Sequence, residues 1–154
     1  MPTAEQNKAI VHRFVDEVCN ERKLAIADQL FTADHVYHDP SIPDAGRGPA
    51  GMKQVVSTYQ TAFPDAHWAV EDVLAAEKDI VVTRWRGRGT HKLELQGIPA
   101  TGKKVDVAGI YIQRLVNNQI AETWVVWDTL GMLQQLGVVP EMGKARELQS
   151  QRRN

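Results

Sequence analysis

Apolar residues recur at helical spacing near the start of the chain. Ile10, Val11, Phe14, Val15 and Val18 fall on one stripe, with Lys8, Arg13 and Glu17 between them, the pattern of a helix with one buried face. Thr3 followed by Gln6 predicts a capping box at its start. A short second helix is predicted over Leu24 to Phe31, where Leu24, Ala27, Leu30 and Phe31 share a side. His35 to Asp39 alternates weakly, as a short strand does. Glycine and proline then crowd residues 40–48 into a loop. Pro49 suits the first turn of a third helix capped by Gly48. Met52, Val55, Val56, Tyr59 and Phe63 mark its apolar face, and Pro64-Asp65 ends it.

Beyond Pro64 the period drops to two. Trp68, Val70, Asp72 and Leu74 alternate with their neighbours as strand residues do. Long strands are predicted over Ile80 to His91 and Val105 to Val116, and Asn117-Asn118 is a tight-turn signal leading into a strand over Ile120 to Trp127. A last short helix is predicted over Leu130 to Leu136, with Gly137 as its C-cap. Helices first and antiparallel strands afterwards is the order of an α+β domain, not of alternating βαβ units.

Composition narrows the choice of function. The chain has 154 residues, 43% hydrophobic and 24% charged, which is one ordinary domain over 1–154 with a polar tail at 141–154. One cysteine, Cys19, rules out an intrachain disulfide. A net charge of -1 argues against nucleic acid as a partner. No apolar run approaches the ~20 residues of a membrane span, and no signal-peptide core follows Met1, so a cytoplasmic location is expected. Ser41, Ser57 and Ser150 are the only serines, and none lies in G-x-S-x-G. No phosphate-cradling glycine motif and no C-x-x-C occurs.

A set of short motifs runs through the chain in order. They are Asn7-Lys8-Ala9-Ile10-Val11-x-Arg13-Phe14, His38-Asp39-Pro40, Gly48-Pro49-x-Gly51 and Ala62-Phe63-Pro64-Asp65. Arg84-Trp85-x-Gly87-x-Gly89-Thr90-His91 and Gly97-Ile98-Pro99-x-Thr101-Gly102-Lys103 follow. The last are Ile120-Ala121-Glu122-x-Trp124-x-x-Trp127-Asp128 and Leu130-Gly131-x-Leu133-x-Gln135-Leu136-Gly137. In this order and spacing the chain resembles the SnoaL-like polyketide cyclase family of the nuclear transport factor 2-like superfamily, over a core of about residues 7–137. The resemblance implies a cone-shaped α+β barrel, a strongly curved and mostly antiparallel sheet wrapped around N-terminal helices with a pocket between them. It implies cofactor-free intramolecular aldol chemistry in the characterised cyclases. The same superfamily hosts isomerases, hydrolases and non-catalytic binders, so fold does not select function. Asn117-Asn118-Gln119, Gln113 and Thr123 depart from residues common in the family.

Asp128 leads the candidate residues. It ends the apolar strand Thr123 to Trp127, where lost solvation would lift a carboxyl into a useful acid/base range. The resemblance puts the cyclases' acid/base aspartate there. Asp is equally a favoured N-cap for the helix that follows. His38 and Asp39 form the second candidate group, with His38 able to hydrogen-bond a carbonyl or hold Asp128 in one protonation state. Asp39-Pro40 reads as turn initiation. His35, His38 and Asp39 form H-x-x-H-D, but no further ligand set has metal spacing, so no metal is expected.

Alternation puts Arg84, Arg86 and Arg88 on one strand face and Trp85, Gly87, Gly89 and His91 on the other, without saying which looks inward. Arg84 facing a pocket would stabilise an enolate oxygen; the competing reading is a solvated or subunit-facing stripe. Arg84, His91, Tyr111 and Trp124 are the substrate-binding candidates, with Tyr111 a hydrogen-bond donor and Trp124 a pocket wall. Tyr59 and Phe63 read as core, His12 as exposed, and Cys19 as a buried inert thiol.

The function these residues favour is a cofactor-independent enzyme acting on a small hydrophobic carbonyl compound. An aspartate removes a proton next to a carbonyl, and the enolate closes a ring or is reprotonated elsewhere. A non-catalytic ligand-binding protein is the competing class, and an epoxide or ester hydrolase ranks below both. A buried Asp128 favours catalysis; an exposed, helix-capping Asp128 favours binding. A homodimer or larger homo-oligomer through the outer sheet face is implied by the resemblance.

Overall fold

The fold is described from a computed structural model over residues 2–143. Most of the polar tail expected at 141–154 lies outside the described residues. Helix α1 (Ala4–Arg13) starts on the capping box of Thr3 and Gln6. It then widens into a π-helical stretch, Phe14–Asn20. That winding turns Phe14, Val15, Val18 and Cys19 inward together. The expected second helix is shorter than predicted: a 3-10 turn at Leu24–Ile26 leads into α2 (Ala27–Leu30), and Phe31 already opens strand β1 (Phe31–His38).

Helix α3 (Gly48–Ala62) carries proline in its first turn, but its N-cap is Arg47 instead of Gly48. Gly48 has a positive φ of 67° and passes so close to Ala33 that a Cβ would meet the Ala33 carbonyl oxygen at 2.6 Å. Only glycine fits both demands. Four antiparallel strands follow: β2 (His67–Ala76), β3 (Ile80–Thr90), β4 (Lys104–Val116) and β5 (Gln119–Trp127). Asn117 and Asn118, both at positive φ, make the β4–β5 turn.

The sheet order is β1-β5-β4-β3-β2, with β1 parallel to β5 and the other neighbours antiparallel. The helices fill its concave side. The Gln60 amide donates to the carbonyls of Val18 (3.1 Å) and Cys19 (2.8 Å), satisfying the end of the first helix from α3. Asn20 exchanges two hydrogen bonds with the Trp68 backbone, tying that same end to β2. Helix α4 (Thr129–Gln135) ends with Gly137 at φ 77° and is pinned to β4 by two bonds between Gln135 and the Asp106 backbone. No helix among the described residues is long and apolar enough to cross a membrane.

Candidate functional site

Burial along β3 settles which face looks inward. Val81, Thr83, Trp85, Gly87 and Gly89 are buried, and Arg84 and Arg88 are exposed. The arginines bond outer-face carboxylates: Arg84 pairs with Glu71 and Asp72, and Arg86 and Arg88 pair with Asp106. Arg84 therefore stands outside the cavity, which corrects its candidacy as a substrate donor. Arg88 alone reaches the cavity mouth, beside His67.

The cavity lies between α3 and the concave sheet and is closed at one end by Met132 of α4. It encloses about 690 Å³, including the part open to solvent. Met52, Val55, Val56, Tyr59 and Phe63 of α3 face Trp85, Tyr111, Val125 and Trp127 of the sheet. Tyr59 and Phe63, read from sequence as core, are wall residues. So is Tyr111.

One row of register partners crosses the sheet floor as Trp85, Gly109 and Trp127. At the Trp127 end stands Asp39, the only buried carboxylate among the described residues. Its Oδ2 accepts from the Tyr37 hydroxyl at 3.0 Å and from Trp127 Nε1 at 3.4 Å. Its Oδ1 accepts from the Ser41 backbone N–H at 2.8 Å and the Ser41 hydroxyl at 2.6 Å. The Tyr59 ring packs edge to face on Trp127, centroids 5.7 Å apart. Two wall residues, Tyr37 and Trp127, thus lead back to one carboxylate.

The phenols here are donors. Burial, reinforced by the Asp39 charge, pushes Tyr59 up to about 12. Burial, then neighbouring Tyr111 and Asp39, pushes Tyr37 up as well. Burial alone is the main cause that raises Tyr111. All three keep their protons near neutral pH. Burial also raises the Cys19 thiol, which leaves it without thiolate reactivity.

The remaining candidates fall elsewhere. Asp128 is exposed and accepts from the Gly131 backbone N–H at 2.8 Å, capping α4. It shares a face with Trp124 and Val126, as alternation predicts, but that face is the outer one. A desolvated Asp128 is therefore corrected to an exposed cap. Trp124 stacks on His38 outside the barrel, centroids 5.3 Å apart, which corrects its role as pocket wall. His38 Nε2 meets Glu122 at 2.7 Å on the same outer face, and His38 is not part of the cavity wall. His91 is buried but behind the wall: its Nδ1 accepts from the Thr101 backbone at 3.2 Å and its ring lies 5.4 Å from that of Phe63. Of the six named residues only Tyr111 lines the cavity.

Sequence reasoning grouped Asp39 with His38 as a candidate but favoured a turn role for it. Its turn role is real, through Ser41. Its partner Trp127 lies 88 residues away, so no local pattern joins them. No group of three or more His, Cys, Asp or Glu residues placed to hold a metal occurs among the described residues.

This fold agrees with comparison against known families. The model of the SnoaL-like polyketide cyclase family matches residues 9–136. The chain belongs to that family. Among solved structures, this SnoaL-like chain is similar to TsrD from Streptomyces laurentii, with a TM-score of 0.81, 23% identity, and coverage of 90% of this chain and 100% of that one. That likeness shows the fold alone. It is also similar to a candidate polyketide cyclase from Acidithiobacillus ferrooxidans, with a TM-score of 0.77, 32% identity, and coverage of 90% and 99%. A third is IdmH from Streptomyces antibioticus, a candidate polyketide cyclase, with a TM-score of 0.72, 30% identity, and coverage of 86% and 99%. No curated protein matches the chain.

Proposed function

We propose that this SnoaL-like protein is a cofactor-independent enzyme that forms and redirects an enolate in its apolar cavity, the chemistry of an intramolecular aldol cyclisation. The observation that carries the reading is the Asp39 carboxylate, buried and joined by hydrogen bonds to two wall residues, Tyr37 and Trp127. Asp39 takes the acid/base part that the sequence suggested for Asp128.

In this reading a carbonyl oxygen of the substrate accepts from a phenol, Tyr59 or Tyr111. A proton on the adjacent carbon passes to the Tyr37 oxygen as the Tyr37 proton passes to Asp39. The carboxylate becomes neutral and the substrate an enolate. The enolate carbon attacks a second carbonyl of the same molecule, and the resulting alkoxide takes the proton back by the same route. Holding the two carbonyls together contributes ~7–11 kcal/mol to such a step. The substrate is a small hydrophobic carbonyl compound, and the protein works as a homodimer or larger homo-oligomer in the cytoplasm.

The test is exchange of the α-protons of 2-tetralone in deuterium oxide, followed by NMR. The wild type accelerates exchange over buffer. Asp39→Asn loses about 10²-fold or more, the usual weight of a general base, and Asp128→Asn keeps the wild-type rate. Loss in Asp128→Asn with retention in Asp39→Asn moves the base to Asp128. A second reading, a non-catalytic ligand binder, is favoured by the exposed capping geometry of Asp128. Binding of the ketone with no exchange above buffer decides for it.

A further inference from the structure

Charge reaches the apolar cavity at one place. Arg88 is the only charged residue among the described residues that line it, and His67 lines it beside Arg88. Four of the wall residues, His67, Arg88, Gly89 and Val105, also line a second hollow. This is a polar groove over the rim of the barrel, bordered by Asp65, Thr90, Lys104 and Asp106. Cavity and groove adjoin along those four shared residues.

Strand pairing builds the rim. His67 opens β2 and is the register partner of Arg88, which in turn is the partner of Asp106 on β4. Paired residues project to one face, so imidazole, guanidinium and carboxylate stand in a row across three strands. The negative charges of the groove are already engaged. Asp65 accepts from the Thr90 backbone N–H at 2.6 Å and from its hydroxyl at 2.8 Å. Asp106 is shared between Arg86 at 2.5 Å and Arg88 at 3.2 Å. The positive groups are less committed. Arg88 gives Asp106 only its Nε, and its two terminal nitrogens have no partner among the described residues. Neither the Lys104 ammonium nor the His67 ring has one there either.

A guanidinium edge with both terminal nitrogens free matches the two oxygens of a carboxylate. The Lys104 ammonium on the same groove adds a field of the same sign. We propose that the rim formed by His67, Arg88 and Lys104 binds the carboxylate of a substrate whose apolar body fills the cavity. The substrate class narrows to carbonyl compounds that carry a free acid. The proposal rests on the reading of the cavity as the substrate site. Anchoring one end at the mouth also sets which end enters first, an orientation that ring closure needs.

The test compares 2-naphthylacetate with 2-naphthylacetamide, which share one apolar skeleton and differ in the charge at its end. Transfer out of water alone favours the uncharged amide. Calorimetric titration of the wild type near neutral pH and at low salt gives the acid an affinity about fivefold above that of the amide, the upper end for an exposed ion pair. Concentrated potassium chloride shrinks that preference. Arg88→Gln removes it and leaves amide binding unchanged. Arg88→Lys, which keeps the charge without the two-pronged edge, restores part of it. Arg88 is exposed, so both changes leave the core alone. Arg84→Gln, at an arginine that lines neither hollow, keeps the preference. Equal affinities in the wild type, a preference that survives Arg88→Gln, an equal loss in Arg84→Gln, or no binding of either probe overturns the rim site. Acid preference without exchange of the 2-tetralone protons removes the enzyme reading and leaves the rim site. Exchange without acid preference does the reverse.

Discussion

Trp85 and Gly109 sit opposite each other on β3 and β4, and the indole of the first occupies the space where a side chain on the second would stand. The pair fixes the floor of the cavity. Gly109→Ala forces the buried ring off its place, an overpacking that costs about 1–3 kcal/mol. Urea unfolding of the variant reads this as a lower midpoint with an unchanged slope. Trp85→Phe removes the overlapping atoms, so the double variant recovers part of the loss relative to the sum of the two single changes. Strict additivity of the two would show that the contact carries no strain relief.

Asp128 is a cap, and caps have a known signature. Asp128→Ala removes the acceptor for the Gly131 N–H and costs about 1 kcal/mol. Asp128→Asn keeps an acceptor and stays within a few tenths of the wild type, since Asn and Asp cap about equally well. Thermal unfolding of the two variants separates cap from charge. A large loss in Asp128→Asn points to a role for the carboxylate that the cap geometry does not contain.

The element order was legible because period and turn chemistry are local. The capping box at Thr3, the Asn117-Asn118 turn and the split of β3 into an arginine face and a tryptophan-glycine face all follow from neighbours in sequence. Which face turns inward is not local. Curvature decides it, and the carboxylates that receive Arg84, Glu71 and Asp72, sit on β2. Along β5 the same ambiguity put Trp124 and Asp128 together correctly and on the wrong side. The joining of Asp39 to the cavity wall was unreadable for a related reason: Tyr37 is two residues away but Trp127 is 88. Only the parallel β1–β5 pairing brings those ends together.

His35 makes stability depend on pH. It is fully buried, its Nε2 lies 2.8 Å from Thr123 Oγ1, and burial lowers its pKa from 6.5 to about 4, against a smaller opposite pull from Glu122. Between pH 4 and 6.5 the unfolded chain binds a proton that the folded chain refuses. Acid therefore favours unfolding through that window, and the contribution is complete above it. The shift corresponds to about 3 kcal/mol lost between pH 6.5 and 4. Urea midpoints measured across this range fall with pH in the wild type. His35→Phe, which keeps a ring against Phe31, flattens that part of the profile. An equal slope in the variant would assign the acid sensitivity to other groups.

The outer sheet face bears on the proposed homo-oligomer. Ile110 pairs with Val126 and Ile112 with Trp124 across β4 and β5. These four apolar side chains are 38–69% exposed, with Val126 the most open at 69%. A contiguous apolar patch flanked by the ion pairs of Arg84 and Arg114 is the composition of a subunit interface. Val126→Glu places a charge in that patch without touching the core. Sedimentation of the wild type gives a dimer or larger species, and the variant shifts toward monomer. The rate of 2-tetralone proton exchange per chain stays unchanged, because no residue of this face lines the cavity. A wild type that sediments as a monomer at all concentrations would remove the interface and leave the patch as exposed surface.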